Sequence, residues 1–162
     1  MAEFFDKDAL NSVQEDIFSK PADEFGNDAS IEALWAMKAY KHAEIYFNLL
    51  CSIDVQHLKL TPHDDKIYEE FRKVFPDIEV GLLTEAALKN AEAKEIWRPF
   101  CNNFQHIEDF NFATLLRLNP ELDYSEENSI LVPRIQFYAI EIARNREGKN
   151  TLLRQPNKHK TT

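Results

Sequence analysis

The sequence predicts a mainly α-helical fold, a compact orthogonal domain of about five helices with one small β-hairpin. Most of the chain repeats apolar residues at three- and four-residue spacing, which is typical of amphipathic helices. One stretch, 110–118, instead alternates apolar residues at period two and predicts a strand. With 162 residues, 44% apolar residues and 12 phenylalanines, the chain is long and apolar enough to bury a single core.

The two ends of the chain carry opposite charge. Residues 1–30 contain eight acidic and two basic side chains, whereas residues 144–162 contain six basic and one acidic. Polar, charged ends of this kind are typical of solvated tails. We therefore predict a poorly ordered acidic segment over 1–25, a single helical domain over 26–148 and a poorly ordered basic tail over 149–162.

The first helix is predicted from Asp28 or Ser30, either of which can cap it, to about Ser52. One face gathers the apolar residues Ile31, Leu34, Trp35, Ile45, Tyr46 and Leu49, and the other side gathers Ala33, Ala36, Tyr40 and Phe47. A helix that is apolar on both sides is expected to be central and packed from two directions. His42 and Glu44 should be partly buried there and should need partners.

Three further helices are indicated by their start signals. Thr61 followed by Pro62 begins the first, which ends before Pro76. Thr84 can cap a short helix, and Asn90 can cap a longer one.

The last part of the chain predicts a hairpin followed by a helix. Residues 111–118 are expected to pair with 129–132, because turn-forming residues lie between them. The final helix runs from Pro133, which suits a first turn, to Gly148, which suits the residue after a helix end. It is apolar nearly all round and should be buried.

Charged residues on these elements predict an ionic seam. Its candidate members are Glu44, Asp109, Arg117, Arg134 and Glu141. Arginine pairs bidentately with carboxylates, so these side chains can lock the helices and the hairpin together. A second hypothesis is that some of them face outward and bind a partner.

The candidate partner-binding residues lie in two places. Arg144, Asn145 and Arg146 end the final helix, where we expect it to leave the core. Trp97 and Arg98 form the second candidate, because exposed aromatic residues and arginine dominate binding surfaces. The competing interpretation of Trp97 is that its ring lies in the core.

Composition argues against several functional classes. Three glycines are too few for a glycine-rich phosphate loop, and a net charge of −9 disfavours specific binding to nucleic acid or to an anionic membrane. The N-terminal sequence is acidic and lacks the pattern of a signal peptide, and no apolar run approaches 18 residues. Cys51 and Cys101 lie on apolar faces without paired spacing, which favours reduced thiols in the cytosol.

No catalytic, cofactor-binding or metal site is expected. Neither cysteine has a histidine in its motif to activate it. The segments 63–65 (His-Asp-Asp) and 106–109 (His-Ile-Glu-Asp) contain ligand-type residues, but they lie at predicted helix ends. Carboxylates at those positions cap free amides or form surface ion pairs, so a structural role is favoured.

Five strings in order carry a family resemblance: HAEIYFNLL, KLTPHDDKIYEEF, AKEIWRPFCNNF, EDFNFATLLRL and PRIQFYAIEIARNREG. Over about 25–150 the chain resembles the eukaryotic polysaccharide biosynthesis domain-containing protein 1 family, which includes a small fungal homologue. Ala113 stands where the family usually has glycine.

The resemblance implies a compact helical chaperone. Its client would be the nascent GTP-binding domain of translation elongation factor 1-alpha, held until nucleotide binds. We therefore expect a non-enzymatic monomer without a cofactor in the cytoplasm, or also in the nucleus, with the ribosome as a second partner. Two alternatives stay open: a carbohydrate-modifying, methyltransferase-like enzyme, as the family name suggests, and a ribosome- or RNA-associated module using the basic residues from Arg144 to Lys160.

Overall fold

The computed structural model describes residues 29–154, which form five α-helices and one two-stranded sheet. The helices are α1 (Ala29–Ser52), α2 (Asp64–Val74), α3 (Glu85–Lys89), α4 (Ala91–Asn102) and α5 (Arg134–Arg146), and the strands are β1 (Ala113–Arg117) and β2 (Ser129–Pro133). Short 3-10 helices cover Val55–His57 and Thr151–Leu153. The mainly α fold class with a small hairpin is confirmed. The segment predicted over 1–25 lies outside the described residues.

Local capping signals account for where the middle helices begin. The side chain of Thr84 accepts a hydrogen bond from the Ala87 amide (3.2 Å), and that of Asn90 accepts one from the Ala93 amide (2.7 Å). Both match the predicted caps. Helix α2 begins at Asp64, later than predicted, because the Asp64 carboxylate accepts hydrogen bonds from the amide (2.7 Å) and hydroxyl (2.8 Å) of Thr61 and holds a turn before the helix.

The predicted hairpin is present, with a first strand shorter than the predicted 111–118 and a second strand that extends one residue beyond the predicted 129–132. β1 pairs antiparallel with β2, so that Thr114 faces Val132 and Leu116 faces Ile130. Helix α5 follows β2 directly, which fixes the helix against the sheet. After α5 the chain turns at Gly148, whose φ of 83° lies in the left-handed region that favours glycine.

Helix α5 is the central element of the described structure. It packs against α2, α4, the first 3-10 helix and both strands. Ile135, Phe137, Ala139 and Ile140 are essentially inaccessible to solvent, as the nearly all-round apolar pattern predicted. The remaining helices reach α5 through other elements, since α1 packs on β1 and α3 packs on α4.

A polar network is buried within this apolar environment. Glu141 of α5 accepts hydrogen bonds from Arg117 of β1 (3.0 Å), from Asn150 (2.8 Å) and from the hydroxyl of Tyr46 on α1 (3.2 Å). Arg144, one turn further along α5, lies 3.5 Å from the same carboxylate. Since all of these side chains are buried, the network links α5 to α1, to β1 and to the chain beyond α5.

The network holds two arginines and one carboxylate, so backbone carbonyls complete it. Arg144 donates to the carbonyl oxygens of Val80 (2.7 Å), Arg117 (2.7 Å) and Leu118 (3.0 Å). Burial by itself would raise the pKa of Glu141, but the charges of Arg117 and Arg144 outweigh it and lower that pKa below its ordinary value of 4.5. The carboxylate is therefore ionised at neutral pH.

Packed structure continues past Gly148, where the sequence placed the start of a poorly ordered tail. Asn150 is fully buried, and its side chain accepts from Arg117 (2.9 Å) and donates to Asn145 (2.7 Å) as well as to Glu141. The buried charges need these hydrogen bonds, which is why the segment folds back. Residues 155–162 of the predicted tail lie outside the described residues.

We expect Glu141→Gln to lower the free energy of unfolding at pH 7 by about 3–5 kcal/mol, because two buried arginines lose their counter-charge. The pKa of Glu141 is lower when the protein is folded. The loss in free energy of unfolding relative to the wild type is therefore complete above pH 4.5 and becomes smaller as the pH falls below that value. Urea unfolding at several pH values measures both effects.

Glu147→Gln is the matched control. Glu147 pairs with Arg72 (2.6 Å) where both side chains are partly exposed, so its loss should cost about 1 kcal/mol or less. Equal losses in the two variants at pH 7 would contradict a dominant role for the buried network.

Candidate functional site

The residues predicted to bind a partner at the end of α5 are mostly buried. Arg144 and Asn145 are inaccessible, so the expectation that the helix leaves the core there is wrong. Both side chains point into the polar network, which needs them. Arg146 is the exposed member of the three; it pairs with Asp65 (2.6 Å) and lies 5.2 Å from the centre of the Tyr68 ring.

The second predicted pair is divided between core and surface. Trp97 is only 4% exposed and stacks on Phe75 with a ring distance of 4.3 Å, so the core interpretation is correct. Arg98, the next residue, is exposed. The two side chains therefore do not form one exposed patch.

The predicted ionic seam separates into a buried part and a peripheral part. Arg117 and Glu141 belong to the buried network. Arg134 and Asp109 form a separate, looser pair at 3.9 Å with both side chains partly exposed. Glu44 is exposed, so the expectation of its partial burial is wrong.

The ligand-type residues have structural contacts. The rings of His63 and His106 lie edge to face at 5.4 Å, but Asp64 holds the turn before α2 and Asp65 pairs with Arg146. Within residues 29–154 no group of three histidine, cysteine, aspartate or glutamate side chains is placed to hold a metal ion.

The two cysteines pack against the core from partly buried positions. Cys51 and Cys101 are half-buried and form no disulfide within the described residues, and burial raises the pKa of Cys101 to about 11. None of the helices between residues 29 and 154 combines the length and apolarity needed to cross a membrane.

Helix α1 leaves apolar residues uncovered. Its side carrying Ala39, Ala43 and Leu50 is buried. By contrast Trp35 is 59% exposed and Ile45 is 61% exposed. The prediction that α1 is packed from two directions is therefore wrong for this side within the described residues.

These exposed residues belong to one stripe of the helix. At about 100° per residue, spacings of three and four keep side chains on a common side. We call this stripe the α1 face, and it consists of Trp35, Lys38, His42, Ile45 and Leu49. The same spacing is used by helices that pack against a partner helix.

A pocket of about 270 Å³ opens beside Trp35. Its lining is formed by Trp35, Lys38, Asn111, Phe112, Ala113 and Arg134. Phe112 is about half exposed, and the guanidinium of Arg134 lies 5.8 Å from the centre of the Phe112 ring. The Nε of Arg134 donates a hydrogen bond to the hydroxyl of Thr114 (3.2 Å). Two cations and no carboxylate line this pocket, so its chemistry suits an apolar group with neighbouring negative charge.

A second pocket of about 450 Å³ lies where the next residues of α1 meet the hairpin. Ala36 and Tyr40 contribute from α1, and Leu115, Ile130 and Leu131 contribute from the strands. Polar and charged residues also line it: Glu85, Lys89, Ser125, Glu126 and Ser129. Leu131 is exposed although it belongs to a strand. The α1 face and the two pockets together form the candidate functional site, a protein-docking surface.

His42 contributes an uncharged ring to this surface. Burial, together with the positive charge of Arg134, lowers the pKa of His42 to about 4, so the ring is neutral at pH 7. It lies edge to face with Phe137 at 5.2 Å, and its Nδ1 has no hydrogen-bond partner in the structure. The sequence predicted its partial burial correctly.

The exposure of Trp35 and Phe112 was missed from the sequence. The available signal was the spread of apolar residues around α1, which exceeds what one buried side requires. Periodicity shows that such a surplus exists but does not show whether the chain or a partner covers it.

Comparisons with known proteins identify relatives of this chain. The family model described as PBDC1 protein matches residues 31–155. Protein PBDC1 of Homo sapiens is 57% identical over 133 residues, which cover 82% of this chain and 57% of the human protein. The chain thus spans little more than half of that relative. The PBDC1 homologue of Saccharomyces cerevisiae is 46% identical over 129 residues, covering 76% of this chain and 88% of the yeast protein.

A solved structure agrees with the fold. The solution NMR structure of protein yst0336 from Saccharomyces cerevisiae matches with a TM-score of 0.74 and 44% identity. The match covers 83% of this chain and 96% of that protein. The helical arrangement described above is therefore similar to one found experimentally.

We expect Trp35→Ala to change the free energy of unfolding by about 1 kcal/mol or less, because the side chain is mostly exposed. Trp97→Ala should cost about 3–5 kcal/mol, because it empties a buried aromatic cluster. Urea unfolding of both variants makes the comparison. Similar losses would mean that Trp35 is a structural residue and not part of a docking surface.

Proposed function

Because the chain belongs to the PBDC1 protein family, as its five motifs predicted, we propose that it is a client-specific chaperone without enzymatic activity. Its client is the nascent GTP-binding domain of translation elongation factor 1-alpha, which it holds in the cytoplasm until nucleotide binding completes folding.

The α1 face is the observation that carries the proposal. A chaperone for one client requires an exposed apolar surface with charged neighbours that keep it soluble and orient the client. Trp35 and Phe112 supply exposed aromatic rings, and Arg134 supplies a cation that lines the same pocket. Tryptophan, tyrosine and arginine dominate the binding energy of protein interfaces.

Buried contacts next to the surface hold it in place. Tyr46 lies on the buried side of α1 and donates to Glu141, while Arg134 begins the same helix that carries Glu141. A preorganised surface loses less conformational entropy on binding than a mobile one. The buried network thus supports the client-binding role of the α1 face.

Overall charge favours the encounter with the client. The chain carries a net charge of −9, and the elongation factor is expected to be basic, so long-range attraction raises the association rate. Nucleotide binding to the client causes its release from the chaperone, because nucleotide stabilises a conformation of the GTP-binding domain that binds the chaperone less tightly. No nucleotide site on the chaperone is required.

A titration tests this proposal. The full chain is mixed with the isolated GTP-binding domain of the elongation factor, first without nucleotide and then with GTP and magnesium. We expect binding that weakens with GTP. Phe112→Ser should weaken nucleotide-free binding about tenfold or more, because it removes an anchor from the surface.

Leu152→Ser is the control variant. Leu152 is 71% exposed and lines a different pocket with Leu82 and Lys149, so its loss should leave the affinity unchanged. Absence of binding in both nucleotide states would contradict capture of this domain. Binding that GTP leaves unchanged would contradict release by nucleotide.

A further inference from the structure

We propose that residues 8–18 of this chain dock on the α1 face and cover Trp35 when no other partner is bound. The inference concerns this chain alone and does not rest on the proposed function. It follows from the apolar spacing of the segment, its charge and its distance from α1.

The apolar residues of the segment match the surface in spacing. Leu10, Val13 and Ile17 follow one another at intervals of three and four residues. Amphipathic segments bind hydrophobic grooves through anchors at these intervals. The residues of the α1 face follow the same intervals from Trp35 to Leu49, and Trp35, Ile45 and Leu49 among them are apolar.

The charges of the two surfaces are complementary. Between Asp8 and Phe18 the chain has three acidic residues and no basic one. Lys38 and Arg134 are the charged residues that line the pocket beside Trp35, and no carboxylate lines it. Asp109 contacts Arg134 only from 3.9 Å and is itself partly exposed, so it offsets this positive charge weakly.

The segment is close enough to reach. Ten residues lie between Phe18 and Ala29, where α1 begins, and the eleven Cα-to-Cα steps of an extended chain span up to about 36–40 Å. Trp35 lies only about 9 Å along the helix from Ala29. A connection of this length gives an effective concentration of about a millimolar, so weak intrinsic affinity is enough for docking.

A second copy of the chain fits this surface less well. In a symmetric dimer the α1 face of one copy would meet the same face of the other, which brings Lys38 and Arg134 of both copies together. The net charge of −9 on each copy adds repulsion at longer range. The acidic segment of the same chain meets neither obstacle.

Acrylamide quenching of Trp35 fluorescence tests the inference in the full-length chain. The second tryptophan, Trp97, is buried and contributes a nearly constant background. We expect the double variant Glu15→Lys, Asp16→Lys to raise the quenching constant about twofold, the ratio expected if the segment covers Trp35 about half of the time.

The control is the double variant Asp23→Lys, Glu24→Lys, which changes the net charge equally but lies outside 8–18. It should leave the quenching constant unchanged. The triple variant Leu10→Ser, Val13→Ser, Ile17→Ser should reproduce the rise without reversing any charge, and urea unfolding confirms that each variant is folded.

Three results would overturn the inference. Equal quenching constants in all the variants would mean that the segment does not cover Trp35. A rise in both charge variants alike would indicate an effect of net charge alone. Quenching that falls with increasing protein concentration, in the wild type and the variants alike, would identify a second copy as the occupant. None of these measurements uses the elongation factor, so a failed client titration leaves this test intact.

Discussion

The structure depends on one buried carboxylate. Glu141 lies between Arg117 and Arg144 with no access to solvent, and its charge is what allows two guanidinium groups to be buried nearby. Tyr46 and Asn150 contribute hydrogen bonds from α1 and from the chain beyond Gly148. Four separate parts of the sequence therefore meet at one charge. The hydrogen bond from Tyr46 to this charge, together with the packing of α1 on β1, sets the orientation of α1.

That orientation decides which residues of α1 remain exposed. The helix carries more apolar residues than one buried side can hold, and the network fixes the side with Tyr46 toward the core. Trp35 and Ile45 are left at the surface as a consequence. The buried residues around Tyr46 and the exposed residues of the α1 face thus lie next to each other on the same helix. The proposed occupants, client and acidic segment, would compete for the α1 face.

Local features of the fold were predictable, whereas long-range polar contacts were not. The caps at Thr84 and Asn90 and the hairpin follow from neighbouring residues, and the five motifs identified the family. The burial of Arg144 depends on carbonyl oxygens of Val80 and Leu118, which any residue type supplies. Sequence patterns do not indicate long-range hydrogen bonds to backbone carbonyls. For this reason Arg144 was wrongly predicted to lie at the surface, and Asn150 was wrongly predicted to lie in a tail.

The most direct test of the docking surface is an NMR titration. Amide and indole resonances of the isotope-labelled full chain would be followed while the nucleotide-free GTP-binding domain is added. We predict selective shifts or broadening at Trp35, Phe112 and Leu131, with Leu82 and Leu152 unaffected, because the latter two line a separate pocket. Changes centred on Leu82 and Leu152, with Trp35 unchanged, would contradict the assignment of the α1 face as the docking surface.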